Sequence, residues 1–134
     1  MLVYVTTRFK GAKENRIEVE KLCASVRAAG MTDFNFVRDI EEYEHTFDDP
    51  KELWGIARRE LEKCDSLLID VSDSPSGGRV VEVGMAYALR KTIFVIAKTG
   101  IVLKDFYAGT ADLIVEYENI QDIIKPLQEY ISKH

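Results

Sequence analysis

Hydrophobic positions along the first third of the chain change from the period of a strand to that of a helix and back. Residues 2–6 read LVYVT, a β-rich run, and apolar side chains then recur with helical spacing over 11–29. Gly30 is placed to end this helix, and a second strand, FNFV, is predicted at 34–37. The pattern predicts a βαβ unit.

Two later segments are apolar without interruption. They lie at 66–71 and 92–97, and such runs are typical of central parallel strands that are covered on both faces. A helix is predicted between them. The segment 39–50 is acidic and irregular, which indicates a loop over the functional site, and its end at Pro50 favours a helix over about 51–63.

The end of the chain continues the alternation. A fifth strand, ADLIVEY, is predicted at 111–117, and the helix after it contains Pro126, which should kink or restart it. Five strands alternating with about five helices predict an α/β fold, a three-layer sandwich around a doubly wound five-stranded parallel sheet of flavodoxin- or Rossmann-like type. Such sheets bind ligands at the carboxyl ends of their strands.

Composition narrows the class of protein. A chain of 134 residues fits one domain, 1–134, and its net charge of −5 argues against nucleic acid as a partner. Because there is no signal peptide and no long apolar run, we expect a cytoplasmic protein without membrane contact. Cys23 and Cys64 lack metal or redox spacing and are interpreted as packing residues, so neither a metal nor a cofactor is predicted.

The most informative segment is DVSDSPSGGRVVEVGMAYAL, residues 70–89. An apolar strand leads into a turn of small residues and then a helix, an arrangement whose free N–H groups attract anions. Glu82 is surrounded by apolar neighbours in that helix, and we expect the positive helix end to keep it ionised. The alternative is that Glu82 simply stabilises the helix dipole from the first turn.

Two turns carry a resemblance to a known family. The opening VYVTTRFKGAKEN and the segment SPSGGRVVEVGMAYALRK resemble the first strand and turn, and the Gly-rich turn with its Glu-aliphatic-Gly helix, of the nucleoside 2-deoxyribosyltransferase-like family. The likeness is nearest to its 2'-deoxynucleoside 5'-monophosphate N-glycosidase branch. It spans residues 2 to about 98, and the remainder matches in topology alone.

The resemblance implies a function and a set of site residues. It gives Glu82 the place of the catalytic nucleophile and Tyr4 that of a strand-1 tyrosine beside the sugar. It implies a small-molecule nucleoside or nucleotide substrate, and a homodimer, with which the apolar surface of the Glu82 helix and Trp54 is compatible. The residues it places around sugar and 5'-phosphate are Thr7, Arg8, Lys10, Gly11, Ser76, Gly77 and Gly78.

One position departs from the family. Where the family carries an aspartate that assists at the sugar and base, this chain has Ala57. The proton donor for the leaving base would then come from Asp70, Asp73 or the acidic residues of 48–60, although for Asp70 the favoured role is to hydrogen-bond the turn that follows it.

Three hypotheses follow. The first is an enzyme that cleaves or transfers the N-glycosidic bond of deoxynucleoside monophosphates or deoxynucleosides, a hydrolase if water is the acceptor and a transferase if a second base is. The second is a non-catalytic nucleotide-binding or sensing domain of the same fold, which Ala57 favours. The third is an unrelated flavodoxin- or receiver-like domain, against which stands the lack of an acidic cluster after strand 1.

Overall fold

The protein, represented by a computed structural model that describes residues 1–8, 16–73 and 76–134, is built around a parallel β-sheet. The strands are β1 (Leu2–Thr6), β2 (Thr32–Phe34), β3 (Ser66–Asp70), β4 (Thr92–Lys98) and β5 (Leu113–Tyr117). Their order is β2-β1-β3-β4-β5, and every neighbouring pair is parallel. This is the flavodoxin-like order, whose switch point lies between β1 and β3. The predicted fold class is confirmed.

Helices cover both faces of the sheet. They are α1 (Arg16–Ala28), α2 (Phe36–Asp39), α3 (Pro50–Lys63), α4 (Gly77–Ala88), α5 (Asp105–Ala108) and α6 (Ile124–Lys133). One core joins α1 and α6 to one face, and the other joins α3 and α4 to the opposite face. Successive residues of a strand point to opposite faces, so Val3 and Val5 enter the first core and Tyr4 the second. Burying a residue of the size of Val5 stabilises the fold by roughly 1.5 to 3 kcal/mol.

The second strand differs from its predicted position. It ends at Phe34, and Asn35 is the N-cap of α2, so the predicted strand 34–37 is wrong after its first residue. The Asn35 side chain accepts a hydrogen bond from the N–H of Arg38 at 2.9 Å and donates one to the carbonyl of Val5 at 2.9 Å. A side chain that bonds to nearby backbone in this way starts a helix in preference to continuing a strand.

Other local signals act as predicted. Gly30 has a φ of +96°, the left-handed conformation that ends α1, and Asp49 caps α3 immediately before Pro50. A 3-10 turn at Ile120–Ile123 leads into α6, where Pro126 is the third residue and needs no intrahelical N–H partner. No helix in the described part of the chain is long and apolar enough to cross a membrane.

Candidate functional site

The switch point of the sheet opens into a cavity of about 190 Å³ on the face covered by α3 and α4. We call it the Glu82 cavity. It is lined by Tyr4, Val5, Thr6, Thr7, Asn35, Phe36, Val37, Leu53, Trp54, Ala57, Ser76, Gly78, Arg79 and Glu82. The structure therefore brings together the two residues to which the resemblance gives catalytic places, Tyr4 and Glu82, and part of the turn after β3.

Glu82 lies in the second turn of α4 and is only 9% exposed. Its Oε1 accepts a hydrogen bond from Oγ1 of Thr6 at 2.9 Å. Thr6 is two residues after Tyr4 on β1, so both side chains point to the face that α4 covers. The buried Tyr4 hydroxyl interacts with the same carboxyl group, but without completing a hydrogen bond of good geometry, and it has no other partner among the described residues.

The environment of Glu82 opposes its ionisation. Burial raises the pKa of the Glu82 carboxyl above its usual value, while the Tyr4 and Thr6 hydroxyls and the positive charge of Arg79 act to lower it. Burial and the neighbouring Glu82 likewise raise the pKa of the Tyr4 hydroxyl. Burial therefore acts against the effect that was expected of the helix end, which is to favour ionised Glu82. The helix dipole acts most strongly in the first turn, and Glu82 lies beyond that turn. The effect of burial on its pKa is therefore the larger one.

The amino end of α4 borders this cavity. Ser76 is the N-cap, and its Oγ accepts from the N–H of Arg79 at 3.4 Å. The N–H groups of the first helical residues, Gly77 and Gly78, have no partner within the helix. A Cβ on Gly78 would lie 3.6 Å from the Trp54 ring, so that the Trp54 indole closes over this end of α4. The arrangement suits an anion.

The rest of the wall is apolar. Phe36, Leu53 and Trp54 face the cavity, and Ala57, 4% exposed, lies among its lining residues. Phe47, from the loop predicted at 39–50, packs on Phe36 with ring centroids 6.2 Å apart. A flat, uncharged group such as a nucleobase fits a wall of this kind, since aromatic faces stack favourably on such groups.

A second cavity, of about 380 Å³, lies at the same edge on the opposite face of the sheet, and we call it the Asp70 cavity. Arg8, Asp70 and Asp73 line this cavity and not the Glu82 cavity, whereas Thr7 lines both. The candidate proton donors Asp70 and Asp73 are thus placed apart from Glu82. Lys10 and Gly11 lie outside the described residues.

Asp70 is tied into the turn that follows β3. Its carboxylate accepts hydrogen bonds from the N–H of Ser72 at 3.0 Å, from the Ser72 hydroxyl at 2.6 Å and from the Tyr117 hydroxyl at 2.5 Å. Burial, together with the bond to Asp70, raises the pKa of Tyr117. Three hydrogen bonds to one carboxylate match the turn-stabilising interpretation of Asp70, because they tie it to Ser72 and Tyr117.

Two of the acidic residues of 48–60 have identified partners. Asp49 accepts from the N–H of Lys51 at 3.0 Å as the α3 cap, and Glu60 pairs with Lys63 at 3.2 Å. Among the described residues that line the Glu82 cavity, Glu82 carries the only carboxyl group.

Two side chains at this cavity, those of Thr6 and Arg79, were not predicted from the sequence. Thr6 bonds directly to Glu82, and Arg79 is a buried cation in the same cavity. The sequence spacing could have indicated both residues. Thr6 shares a strand face with Tyr4, and Arg79 lies three residues before Glu82 on one helix face.

Comparison with known proteins finds solved structures that share the fold of this chain. No family model matches the sequence, and no curated protein matches it significantly. Among solved structures, the chain is similar to the CMP N-glycosidase BcmB of Clostridium botulinum, with 16% identity, a TM-score of 0.69, and coverage of 97% of this chain and 100% of that one.

Two further solved structures share this fold. A 2-deoxyribosyltransferase from Bacillus psychrosaccharolyticus has 18% identity and a TM-score of 0.71, with 92% of this chain and 90% of that chain covered. BlsM has 20% identity and a TM-score of 0.71, with 98% and 89% covered. At these identities the likeness concerns the fold, and the chain has a nucleoside 2-deoxyribosyltransferase-like fold.

Proposed function

We propose that the protein cleaves the N-glycosidic bond of 2'-deoxynucleoside 5'-monophosphates or deoxynucleosides, with Glu82 as the nucleophile. The observation that carries this proposal is a carboxylate, buried at the switch point of the sheet, that shares one cavity with Tyr4, an aromatic wall and the amino end of a helix. The named neighbours of the same fold, an N-glycosidase and a deoxyribosyltransferase, support the same class of reaction.

In the proposed reaction an oxygen of Glu82 bonds to C1' of the sugar while the bond from C1' to the base nitrogen breaks. The bonding electron pair leaves with the base, which takes up a proton. Since Oε1 already accepts from Thr6, Oε2 is the oxygen to attack. Water or a second base then forms a bond to C1' and gives up a proton, while the bond from C1' to Glu82 breaks and regenerates the carboxylate.

The same site accommodates a 5'-phosphate. The amino end of α4, with Ser76 as its cap and the N–H groups of Gly77 and Gly78, offers hydrogen bonds and a positive dipole to a dianion. At Gly77 no described residue lies within 4 Å of a Cβ built at that position, so that a ligand can approach the backbone. The monophosphate is therefore the proposed substrate form.

Ala57 supports a second candidate, a nucleotide-binding or sensing domain without turnover. Ala57 lines the Glu82 cavity, and it stands at the sequence position where the resemblance expects an assisting aspartate. Without that group, proton delivery to the leaving base is weakened, and general acid catalysis is typically worth about 10² to 10⁴-fold. We favour an enzyme of low turnover over a pure binding domain, since Glu82 and Tyr4 line the same cavity.

The deciding experiment is incubation with a panel of deoxynucleosides and their 5'-monophosphates, scored for free base by chromatography. The proposal expects release from at least one substrate by the wild type and none by Glu82→Gln, which keeps the shape of the side chain. Glu116→Gln, on exposed β5 surface, is the matched control and should retain the wild-type rate. Binding of a monophosphate with no release by any variant would favour the non-catalytic alternative.

We also propose that two copies associate through the outer face of α4. Val80, Val81 and Tyr87 on this helix are 36%, 47% and 60% exposed, and together they form an apolar surface beside the site. Light scattering after size exclusion should give a dimer for the wild type and a monomer for Val81→Glu. A monomeric wild type at micromolar concentration would reject this assembly.

A further inference from the structure

Arg79 is a buried cation that links two pieces of the site. It is the third residue of α4 and is 4% exposed. Its Nη1 donates to the carbonyl oxygen of Asp70 at 2.8 Å, and its Nε donates to Oγ of Ser76 at 3.2 Å. The guanidinium therefore joins the last residue of β3 to the N-cap of α4, across the turn that the substrate phosphate is proposed to approach.

Arg79 also acts on Glu82. The two residues are three positions apart on α4, which places them on the same face of the helix, and both line the Glu82 cavity. The positive charge favours the ionised carboxyl and so opposes the effect of burial on the pKa of Glu82.

Among the described residues, few groups other than Arg79 act on the Glu82 carboxyl. β1 contributes the Tyr4 and Thr6 hydroxyls to Glu82, and in the described part of the chain the one charged group that acts on the Glu82 carboxyl is Arg79. The other elements around the cavity present side chains that do not titrate, namely Asn35, Phe36, Val37, Leu53, Trp54 and Ala57. Tyr107 of α5 is a further titratable group within the field of Arg79.

We propose that Arg79 is a positioning residue for the Glu82 chemistry: it fixes the turn between β3 and α4 and stabilises the Glu82 carboxylate electrostatically. The inference deepens the proposed function and rests on it for its kinetic readout. A guanidinium suits both tasks, since its rigid fork of donors reaches two acceptors at once while its charge persists at any physiological pH.

The test compares Arg79→Gln and Arg79→Lys with Arg58→Gln, a matched loss of one charge at a side chain that is 70% exposed on α3. Two readouts are taken: the pH dependence of base release, and the titration of the Glu82 carboxyl by ¹³C NMR on labelled protein. The second readout needs no turnover. If the wild type releases no base, the proposed function fails while the NMR titration still decides the role of Arg79.

Arg79→Gln should move the acid limb of the rate profile, and the NMR midpoint of Glu82, upward by about one pH unit or more, as loss of a nearby opposite charge does. Arg79→Lys should keep the midpoint near that of the wild type but raise the KM for monophosphates, because an ammonium cannot replace the fork. Arg58→Gln should change neither.

A folded Arg79→Gln with an unchanged Glu82 midpoint overturns the proposal, and so does a rate reduced equally at every pH. If Arg79→Gln does not fold, Arg79→Lys decides: an upward shift of its Glu82 midpoint, or an unchanged KM, overturns the proposal.

Discussion

Ala57→Asp is the substitution that most directly probes proton delivery to the leaving base. Ala57 is 4% exposed and lines the same cavity of about 190 Å³ as Glu82, so the new carboxyl group enters the site itself. Two carboxyl groups in one buried cavity disfavour double ionisation, and one of them retains a proton near neutral pH. That proton is what the departing base requires.

The expected gain in rate is about 10² to 10⁴-fold, the usual contribution of a general acid. The substitution should also destabilise the fold by about 1 to 3 kcal/mol, because a polar group replaces a methyl group in a buried wall. The assay is the initial rate of base release at saturating monophosphate between pH 5 and 8, with thermal unfolding as a parallel measurement. Ala57→Asn, similar in shape but without a titrating proton, is the control.

Two results would contradict proton delivery by the carboxyl group of Ala57→Asp. An equal gain in Ala57→Asn would assign the effect to polarity or shape and not to proton donation. A wild type that already turns over at ordinary enzyme rates, with no gain in Ala57→Asp, would mean that another group protonates the base. Glu60, three residues after Ala57 on α3, is the first residue to substitute in that case.

Three further predictions follow from the site. Glu82→Gln should stabilise the fold near neutral pH, because burial raises the pKa of Glu82 and the native state therefore favours its protonated form. Wild-type stability should fall relative to that of the variant as the pH rises from the ordinary carboxyl pKa through the raised one. Denaturant titrations at several pH values will check this. Equal stability of the two proteins at all pH values would contradict it. Thr6→Val, which removes the 2.9 Å bond to Oε1, should raise the Glu82 pKa and slow base release in weak acid more than in weak base, measured as a pH–rate profile. In calorimetry a monophosphate should bind at least about tenfold tighter than its nucleoside, because the phosphate forms charge-assisted hydrogen bonds at the helix N-terminus. The difference in affinity should be smaller in Ser76→Ala. Equal affinities of the two ligands would place the phosphate elsewhere.

Much of the fold was accessible from local pattern. Continuous apolar runs identified β3 and β4, and Gly30 and Pro50 marked helix boundaries that the structure reproduces. The error at β2 arose because FNFV alternates like a strand, whereas the Asn35 side chain satisfies the backbone of a helix start. Such competition between side chain and backbone is invisible to a hydrophobic pattern.

The site was less predictable, because it depends on which strand faces coincide. Tyr4 pairs with Leu67 in the sheet, so that Leu67 and Ile69 share its face, whereas Asp70 points to the other face. Without that register, Asp70 and Glu82 were candidates for one site. The balance of burial against hydroxyl and guanidinium neighbours at Glu82 likewise requires three-dimensional contacts that the linear sequence does not contain.

A nucleophilic Glu82 can be observed by mass spectrometry of the protein quenched during reaction with a deoxynucleoside monophosphate. We expect a covalent deoxyribosyl phosphate adduct on the peptide containing Glu82, formed as base is released and absent from Glu82→Gln. Base release by Glu82→Gln at the wild-type rate, or an adduct on a different residue, would contradict it.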